Sequence, residues 1–223
     1  MRRTILFLGL AIMMLDASPV AAQRTYRGQQ LYDHKVEVNA YGGYLWTNSR
    51  SFSFDGVRGD LDIKSNPYWG LELDINVRDG MQIAFLYNRQ DSELTFKRNG
   101  TAIDEPITDI SLEYVQAGVV AGVRNGSTMP FTTFSLGATR MNPEDTNLED
   151  TWKFSMILGL GVKHYLSERF GLRIHGRIPY TFTSGGGSLF CDTSDPDNPR
   201  CYEAIGGTGI PQVDVGAGLI VMF

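Results

Sequence analysis

The stretch that decides the fold is the last one, Pro211–Phe223, with the sequence PQVDVGAGLIVMF. One series of alternate residues is apolar throughout and ends on an aromatic residue: Val213, Val215, Ala217, Leu219, Val221 and Phe223. The other series is largely small or polar: Gln212, Asp214, Gly216, Gly218, Ile220 and Met222. A two-residue period over this length predicts a β-strand that matches the roughly 9–11 tilted residues needed to cross a bilayer.

This strand resembles the closing strand of bacterial outer-membrane β-barrels. In that family the alternating apolar positions and the terminal aromatic residue are what the insertion machinery recognises. The resemblance implies that the barrel assembly machinery is a partner during insertion. It also implies an assembly signal at Val215, Ala217, Leu219, Val221 and Phe223.

The amino terminus has the pattern of a secretory signal peptide. Arg2 and Arg3 precede an apolar run from Ile5 to Leu15, and Val20 and Ala22 have the spacing that a signal peptidase accepts. We expect cleavage after Ala22, a short periplasmic lead over residues 23–34 and a barrel domain over residues 35–223. An uncleaved interfacial anchor is the alternative, but it gives the small-residue end of the segment no purpose.

Charge and length argue for one acidic domain. The formal charge is −5, and removal of residues 1–22 takes away two arginines and one aspartate, which leaves −6. This balance argues against a nucleic-acid partner. No proline-rich linker or low-complexity tract divides the mature chain, and no later segment has the run of about 20 apolar residues that a spanning helix needs.

Seven more strands are predicted upstream, which makes eight in total. Asp79-Gly80 supplies the positive φ that a tight hairpin requires, and Asn125-Gly126 and Leu166–Arg169 mark two other short connections. Long, polar connections alternate with the short ones, as is typical of outer-membrane barrels. The predicted strands span residues 35–46, 67–78, 81–91 with a possible extension to 97, 107–123, 131–141, 152–163 and 171–182, and the predicted long loops include 47–66, 142–150 and 183–210.

The fold class that follows is all-β, an eight-stranded antiparallel up-and-down transmembrane β-barrel. Residues 160–173, LGVKHYLSERFGLR, resemble the sixth strand, tight turn and seventh strand of small outer-membrane barrel domains. That family is typified by the OmpA transmembrane domain, OmpX and OmpW, and the resemblance covers residues from about 35 to 223. It implies a location in the outer membrane, and it indicates fold far better than function. The peptidoglycan-binding role of full OmpA is not implied.

A soluble periplasmic barrel, similar to the lipocalins, is the main alternative fold, because apolar and polar residues also alternate along its strands, with the apolar face turned inward. Gly159, Gly161, Gly216 and Gly218 argue against it, since glycine on a water-facing strand position weakens the strand and packs nothing. In a narrow lumen, glycine makes room for other side chains. Aromatic residues near strand ends also suggest membrane interfaces: Trp46, Trp69, Trp152, Tyr44, Tyr165, Tyr180 and Phe182.

The inward faces are predicted to carry charges of both signs. An eight-stranded barrel has an interior just wide enough to be filled by side chains, so these groups should pair rather than line a channel. Arg177 and Asp214, on the last two strands, are the expected pair. The predicted lumen network is Glu37, Glu72, Asp74, Glu113, Lys153, Lys163, Arg173, His175, Arg177 and Asp214.

Catalytic and metal sites are not indicated. Barrel hydrolases need a histidine paired with Ser, Asp or Glu, whereas His175 lies between Arg173 and Arg177, His164 precedes a turn and His34 lies in the lead. We therefore predict no enzyme activity, no cofactor and no specific metal. The acidic loops are expected to be solvated, or to bridge diffuse cations to lipopolysaccharide: Glu144, Asp145, Glu149, Asp150, Asp192, Asp195, Asp197 and Asn198.

The two cysteines, Cys191 and Cys201, both lie in the last long loop. An exported protein reaches an oxidising compartment, so a disulfide between them is expected. Because the loop is short, the bond should restrain the loop rather than the barrel. Protection of the loop is favoured over a pinned binding surface.

The function predicted from these features is that of a non-enzymatic outer-membrane protein with a structural or envelope-integrity role and at most weak pore activity. Outer-membrane lipids and lipopolysaccharide are the expected surroundings, and a monomer is expected. Two alternatives stay open. One is an OmpW-like conduit for small solutes, and the other is a surface adhesin or host-factor binder that acts through the external loops.

Overall fold

The computed structural model describes residues 35–47, 50–54, 57–98, 105–145, 148–183, 188–192, 200–204 and 209–223. The predicted signal peptide and lead, with His34, lie outside these residues. Strands form all the regular secondary structure in the described ranges. None of these ranges contains a helix long and apolar enough to cross a membrane.

The strands follow one another in the order β1 (Val36–Thr47), β2 (Arg50–Phe54), β3 (Val57–Ile63), β4 (Asn66–Arg78), β5 (Met81–Arg98), β6 (Glu105–Gly122), β7 (Thr128–Pro143), β8 (Thr151–Tyr165), β9 (Phe170–Phe182), β10 (Ser188–Asp192), β11 (Arg200–Ala204) and β12 (Gly209–Met222).

Eight of these strands close into a barrel: β1, β4, β5, β6, β7, β8, β9 and β12. Each pairs antiparallel with the next along the chain. The ring is closed by β12 against β1, in a register that runs from Glu37–Met222 to Thr47–Gln212. The predicted eight-stranded antiparallel up-and-down barrel is confirmed. Gly80, with φ 72°, and Gly126, with φ 62°, provide the left-handed conformations at the predicted short turns.

Two of the predicted long loops contain strands, which corrects the prediction that residues 47–66 and 183–210 lack regular structure. The β2–β3 hairpin pairs through β3 with the far end of β5, and the β10–β11 hairpin pairs through β11 with β2. These four strands extend the sheet beyond the barrel. A short strand shows no sustained two-residue alternation of apolar and polar residues. These segments are also rich in turn-forming residues, and their composition therefore predicted loops.

The two faces of the wall differ as the alternation predicts. On β12, Val213, Val215 and Leu219 are about half exposed or more, whereas Asp214 and Ile220 are buried. The same contrast separates Leu71 and Leu73 of β4 from the buried Glu72 and Asp74. An outer surface of Leu, Ile, Val and Phe would be unfavourable in water but suits the acyl chains of a bilayer.

The interior is filled by apolar groups at both ends. Toward the long connections, one cluster joins residues of the barrel strands, such as Leu45 and Leu112, to Leu61, Leu94 and Phe96 of the sheet extension. Toward the short turns lies a second cluster: Ala84, Val120, Met129, Phe131, Tyr165, Ile220 and Met222. The inward-facing charged groups adjoin both clusters.

Closure of the barrel predicts resistance to detergent. Every barrel strand has two hydrogen-bonded neighbours, so the barrel has no unpaired strand edge at which SDS could begin to separate the strands. We expect the unheated folded protein to migrate faster on an SDS gel than the boiled protein. Unchanged mobility, together with release in the soluble periplasmic fraction, would contradict a membrane barrel.

Candidate functional site

Within the described residues, the inward face carries eight buried acidic, basic or histidine side chains from five strands. They come from β1, β4, β8, β9 and β12, and their positions follow from the two-residue period of each strand. Lys163, Arg173 and Arg177 are among the largest fully buried side chains of the protein. The set is Glu37, Glu72, Asp74, Lys163, Arg173, His175, Arg177 and Asp214.

The first group is centred on Lys163. Its Nζ donates to Glu37 Oε2 at 2.7 Å, to Asp74 Oδ2 at 2.6 Å and to Gln82 Oε1 at 2.6 Å. These three bonds use all the donors of an ammonium group. Tyr165 adds a hydroxyl donor to Glu37 Oε1 at 3.0 Å. One cation thus links two carboxylates that lie on neighbouring strands.

The second group is centred on Arg173. Its Nη1 donates to Glu72 Oε1 at 2.5 Å and lies 3.8 Å from Asp74 Oδ2. The guanidinium carbon is 4.8 Å from the centre of the Phe131 ring and 5.7 Å from that of Tyr41. Aromatic faces attract a cation, so they stabilise the buried guanidinium in addition to its carboxylate.

The third group joins Arg177 to Asp214. Arg177 Nε lies 3.1 and 3.0 Å from the two oxygens of Asp214. The remaining nitrogens donate to the hydroxyls of Tyr41 and Tyr68, both at 3.2 Å. The Tyr68 hydroxyl also lies 2.9 Å from Nε2 of His175. The expected partners on the last two barrel strands are therefore adjacent in the structure.

Glycines on the inward face provide the space for these groups. A Cβ at Gly159 would lie 2.6 Å from Cγ of Arg177. A Cβ at Gly216 would collide with the Tyr68 hydroxyl and lie 2.8 Å from His175 Nε2. Any larger residue at either position would displace a member of the network.

Glu113 corrects the predicted network, because it faces outward. Its neighbours Leu112 and Tyr114 are buried in the interior, which places Glu113 on the opposite face of β6. There it lies 3.4 Å from Arg89 and 3.4 Å from Arg140. Apolar residues occur on both faces of this part of β6, so the local alternation did not identify the inward face. Lys153 is half-buried on β8.

Several network members were missing from the predicted set. Asn39, Tyr41, Tyr68, Gln82 and Tyr165 all bond directly to its charged groups. Each occupies an inward position of its strand, so the period was the available signal. Tyr165 was interpreted as an interfacial residue, although a buried tyrosine hydroxyl needs a hydrogen-bond partner and can bond to a member of an ion pair.

The other predicted sites are placed as follows. Cys191 and Cys201 form a disulfide between β10 and β11, as predicted. His164 Nδ1 lies 2.9 Å from the Thr128 hydroxyl on the surface. Asp150 pairs with Arg140 at 2.9 Å. Within the described residues, no group of three or more His, Cys, Asp or Glu side chains is placed to hold a metal ion, and Asp195, Asp197 and Asn198 lie outside them.

Comparisons with known proteins give the fold. Residues 7–199 match the family model described as outer membrane protein beta-barrel domain. Among solved structures, Neisserial surface protein A is 14% identical with a TM-score of 0.54, over 84% of this chain and 97% of that chain. OprG from Pseudomonas aeruginosa is 14% identical with a TM-score of 0.51, over 85% and 97%. AlkL in DMPC lipid bilayers is 10% identical with a TM-score of 0.54, over 90% and 96%. No curated protein matches the sequence.

Proposed function

This chain belongs to the outer-membrane protein β-barrel domain family of Gram-negative bacteria, and from that premise we propose that it is a non-enzymatic structural barrel whose lumen is closed. The observation that carries the proposal is that Lys163, Arg173 and Arg177 each pair with at least one carboxylate inside the barrel. An open aqueous pore would hydrate these cations, whereas they are at most 1% exposed. The protein would strengthen the envelope and pass ions weakly at most.

The closure has an energetic basis. Burial of a single charge costs several kcal/mol, and ion pairs with further hydrogen bonds offset that cost. To open a water path along the axis, several of these pairs would have to separate together with the apolar clusters at both ends. We infer that the closed lumen is the ground state of the barrel.

The arrangement of the described histidines supports a non-enzymatic role. His175 is buried against Tyr68 and lies 3.6 Å from Asp214, in contact with an ion pair rather than with an accessible nucleophile. His164 contacts Thr128 at the short-turn end of the barrel. A substrate approaching from outside would meet neither side chain.

Electrical recording tests the closed lumen directly. Wild-type protein in planar bilayers should give no large, steady current, and liposomes that contain it should swell no faster with small sugars than empty liposomes. Large and steady single-channel currents from the wild type would overturn the closed barrel. They would favour the alternative of a conduit for small solutes.

A surface binder is the second candidate, and the external sheet favours it. The β2–β3 and β10–β11 hairpins join one sheet that continues from β5, and the Cys191–Cys201 disulfide links β10 to β11. Binding surfaces gain from such preorganisation, since less ordering entropy is lost on association. Cells that express the protein should then adhere to host matrix proteins, and the Cys191→Ser/Cys201→Ser variant should adhere less at equal surface level. Equal adhesion with and without the protein would exclude this role.

Assembly into the membrane should depend on the terminal aromatic residue. Phe223 is 67% exposed at the end of the closing strand, and its N–H donates to Val36 O at 2.9 Å. We expect Phe223→Ser to lower the yield in the outer membrane, because the exposed ring is what the barrel assembly machinery would bind. Immunoblots of membrane fractions measure the effect, with Phe170→Ser as a control at an exposed ring away from the terminus. Wild-type yield of Phe223→Ser would contradict this role.

A further inference from the structure

The lumen network contains one more acidic group than cations. Among the described residues, the buried carboxyl groups outnumber the buried cations: Glu37, Glu72, Asp74 and Asp214 face Lys163, Arg173 and Arg177. Arg177 and Asp214 are balanced, because Nε of the arginine lies 3.1 and 3.0 Å from the two carboxylate oxygens. The excess negative charge therefore falls on the other three carboxyl groups, which share Lys163 and Arg173.

His175 does not supply the missing positive charge. It lies between Arg173 and Arg177 on the inward face of β9, so a proton on its imidazole would place three like charges in a row. Its Nε2 lies 2.9 Å from the Tyr68 hydroxyl, a contact that a neutral ring makes as well. The balance has to be reached at the three carboxyl groups themselves.

These three carboxyl groups lie on two adjacent strands. The register places Glu37 of β1 directly opposite Asp74 of β4, and Glu72 lies two residues from Asp74 on the same inward face. Like charges directly opposite each other in a sheet repel, and they repel more strongly in a buried site than in water. Carboxyl groups that share one buried site do not all ionise, so one of them keeps its proton.

Two of the three groups have the partners of an ionised carboxylate. Both oxygens of Glu37 accept hydrogen bonds, from Lys163 Nζ at 2.7 Å and from the Tyr165 hydroxyl at 3.0 Å. Glu72 accepts from Arg173 Nη1 at 2.5 Å. Donors aimed at the oxygens favour the charged form of a carboxyl group. Glu37 and Glu72 are therefore the ionised members.

Asp74 differs from both. It receives the Lys163 ammonium at 2.6 Å and the Asn39 amide nitrogen at 2.8 Å, and both of these donors bond to Oδ2. Its Oδ1 accepts no hydrogen bond from the described residues, although the side chain is completely buried. Asn39 Oδ1 is a second buried acceptor without a donor, on the same amide that bonds to Asp74. One proton would satisfy both acceptors.

We propose that the lumen binds one proton on Asp74 Oδ1, which donates it in a hydrogen bond to Asn39 Oδ1. A carboxylic acid and a primary amide are complementary, since each offers one donor and one acceptor. Oδ2 of the neutral acid still accepts from Lys163. The charged groups that face Asp74 then balance, with Glu37 and Glu72 from β1 and β4 against Lys163 and Arg173 from β8 and β9, while β5 contributes the neutral Gln82.

The proton is a bound component of the lumen, and the charge count requires it whether or not the barrel conducts. Infrared spectroscopy of the folded protein in detergent micelles detects it directly, because a protonated carboxylic acid has a carbonyl band that a carboxylate lacks. At neutral pH the wild type should show this band. A heavy carbon isotope in the aspartate carboxyl groups should shift the band, and the same label in glutamate should not.

Two variants assign the band to one residue. Asp74→Asn should lack it, whereas Asp79→Asn, which makes the same change at an exposed turn residue, should retain it. Absence of the band from the wild type would overturn the proposal, as would a shift with labelled glutamate alone. The wild-type labelling experiment decides the matter even if Asp74→Asn does not fold.

The proton also makes stability depend on pH. The folded barrel holds it, whereas an unfolded chain releases an aspartic-acid proton above about pH 4, so the folded state loses stability as the pH rises. From about pH 5 until the folded barrel releases the proton, the folding equilibrium constant of the wild type relative to Asp74→Asn should fall by about tenfold per pH unit. The ratio of the wild type to Asp79→Asn should stay constant. A constant ratio for Asp74→Asn would mean that Asp74 is ionised in the folded barrel.

Three other arrangements give different results. A water molecule would donate to both orphan acceptors, and a shift of Arg173, whose Nε and Nη2 lack acceptors, would bring a donor to Oδ1. Either would leave Asp74 ionised, which abolishes both the band and the pH-dependent ratio. A bound sodium ion would do the same, and the wild type would then lose stability when choline replaces sodium. Any of these results would overturn the proton site.

Discussion

Replacement of Lys163 by methionine is expected to destabilise the barrel severely. The side chain keeps its length but loses the ammonium that bonds to Glu37, Asp74 and Gln82. Two buried carboxyl groups would lose the cation between them, and Asp74 would retain the Asn39 amide at 2.8 Å and the Arg173 guanidinium at 3.8 Å. Removal of one partner from a buried ion pair costs about 3–5 kcal/mol, and this cation serves two carboxylates. Urea unfolding of the protein in micelles, followed by tryptophan fluorescence, measures the loss of free energy of unfolding.

Rescue distinguishes loss of the charge from loss of packing. Lys163→Met combined with Glu37→Gln and Asp74→Asn should recover much of the stability, because no unpaired charge then remains in the lumen. Lys35→Met makes the same chemical change at an exposed residue and should leave the unfolding midpoint unchanged. A wild-type midpoint for Lys163→Met would show that the buried pairs contribute nothing to stability.

The second large effect is expected for Arg177→Ala, which removes the partner of Asp214 and empties space at the centre of the lumen. Among the described residues, Asp214 would keep the Tyr68 hydroxyl at 3.3 Å and the imidazole of His175 at 3.6 Å. We expect a loss of roughly 3–5 kcal/mol in the free energy of unfolding. We also expect measurable ion leakage in planar bilayers, because water would enter to hydrate the carboxylate.

Two further variants test whether the leakage comes from the unpaired charge of Asp214 or from the space that Arg177 leaves. Arg177→Ala/Asp214→Asn removes the unpaired charge and should recover stability relative to Arg177→Ala, while the space, and hence part of the leakage, remains. Arg169→Ala, in an exposed turn, should behave like the wild type in both assays. Large wild-type currents that persist unaltered in Arg177→Ala would instead show that the pair does not seal the barrel.

Sequence and structure agree for the features that neighbouring residues encode, such as the two faces of a strand or a tight turn. The alternation in β12 and β9 correctly separated Asp214, Arg173, His175 and Arg177 from their lipid-facing neighbours. The glycine of Asp79-Gly80 identified a hairpin that the structure contains. These features depend only on the period of a pleated strand and on the conformational freedom of glycine, so neighbouring residues encode them.

Tertiary structure alone decided which groups meet across the lumen. Lys163 joins Glu37 and Asp74, and Arg173 selects Glu72, because strand tilt and stagger set the height of each residue in the closed barrel. The outward direction of Glu113 and the pairing of β11 with β2 depend on the same distant contacts. The sequence by itself thus determined the eight barrel strands, most of their faces and the closed wall, but not the four strands of the extension. The stagger of the strands sets which charged side chains meet in the lumen. Residues that pair across the barrel need no regular spacing along the chain, so no local pattern identifies them.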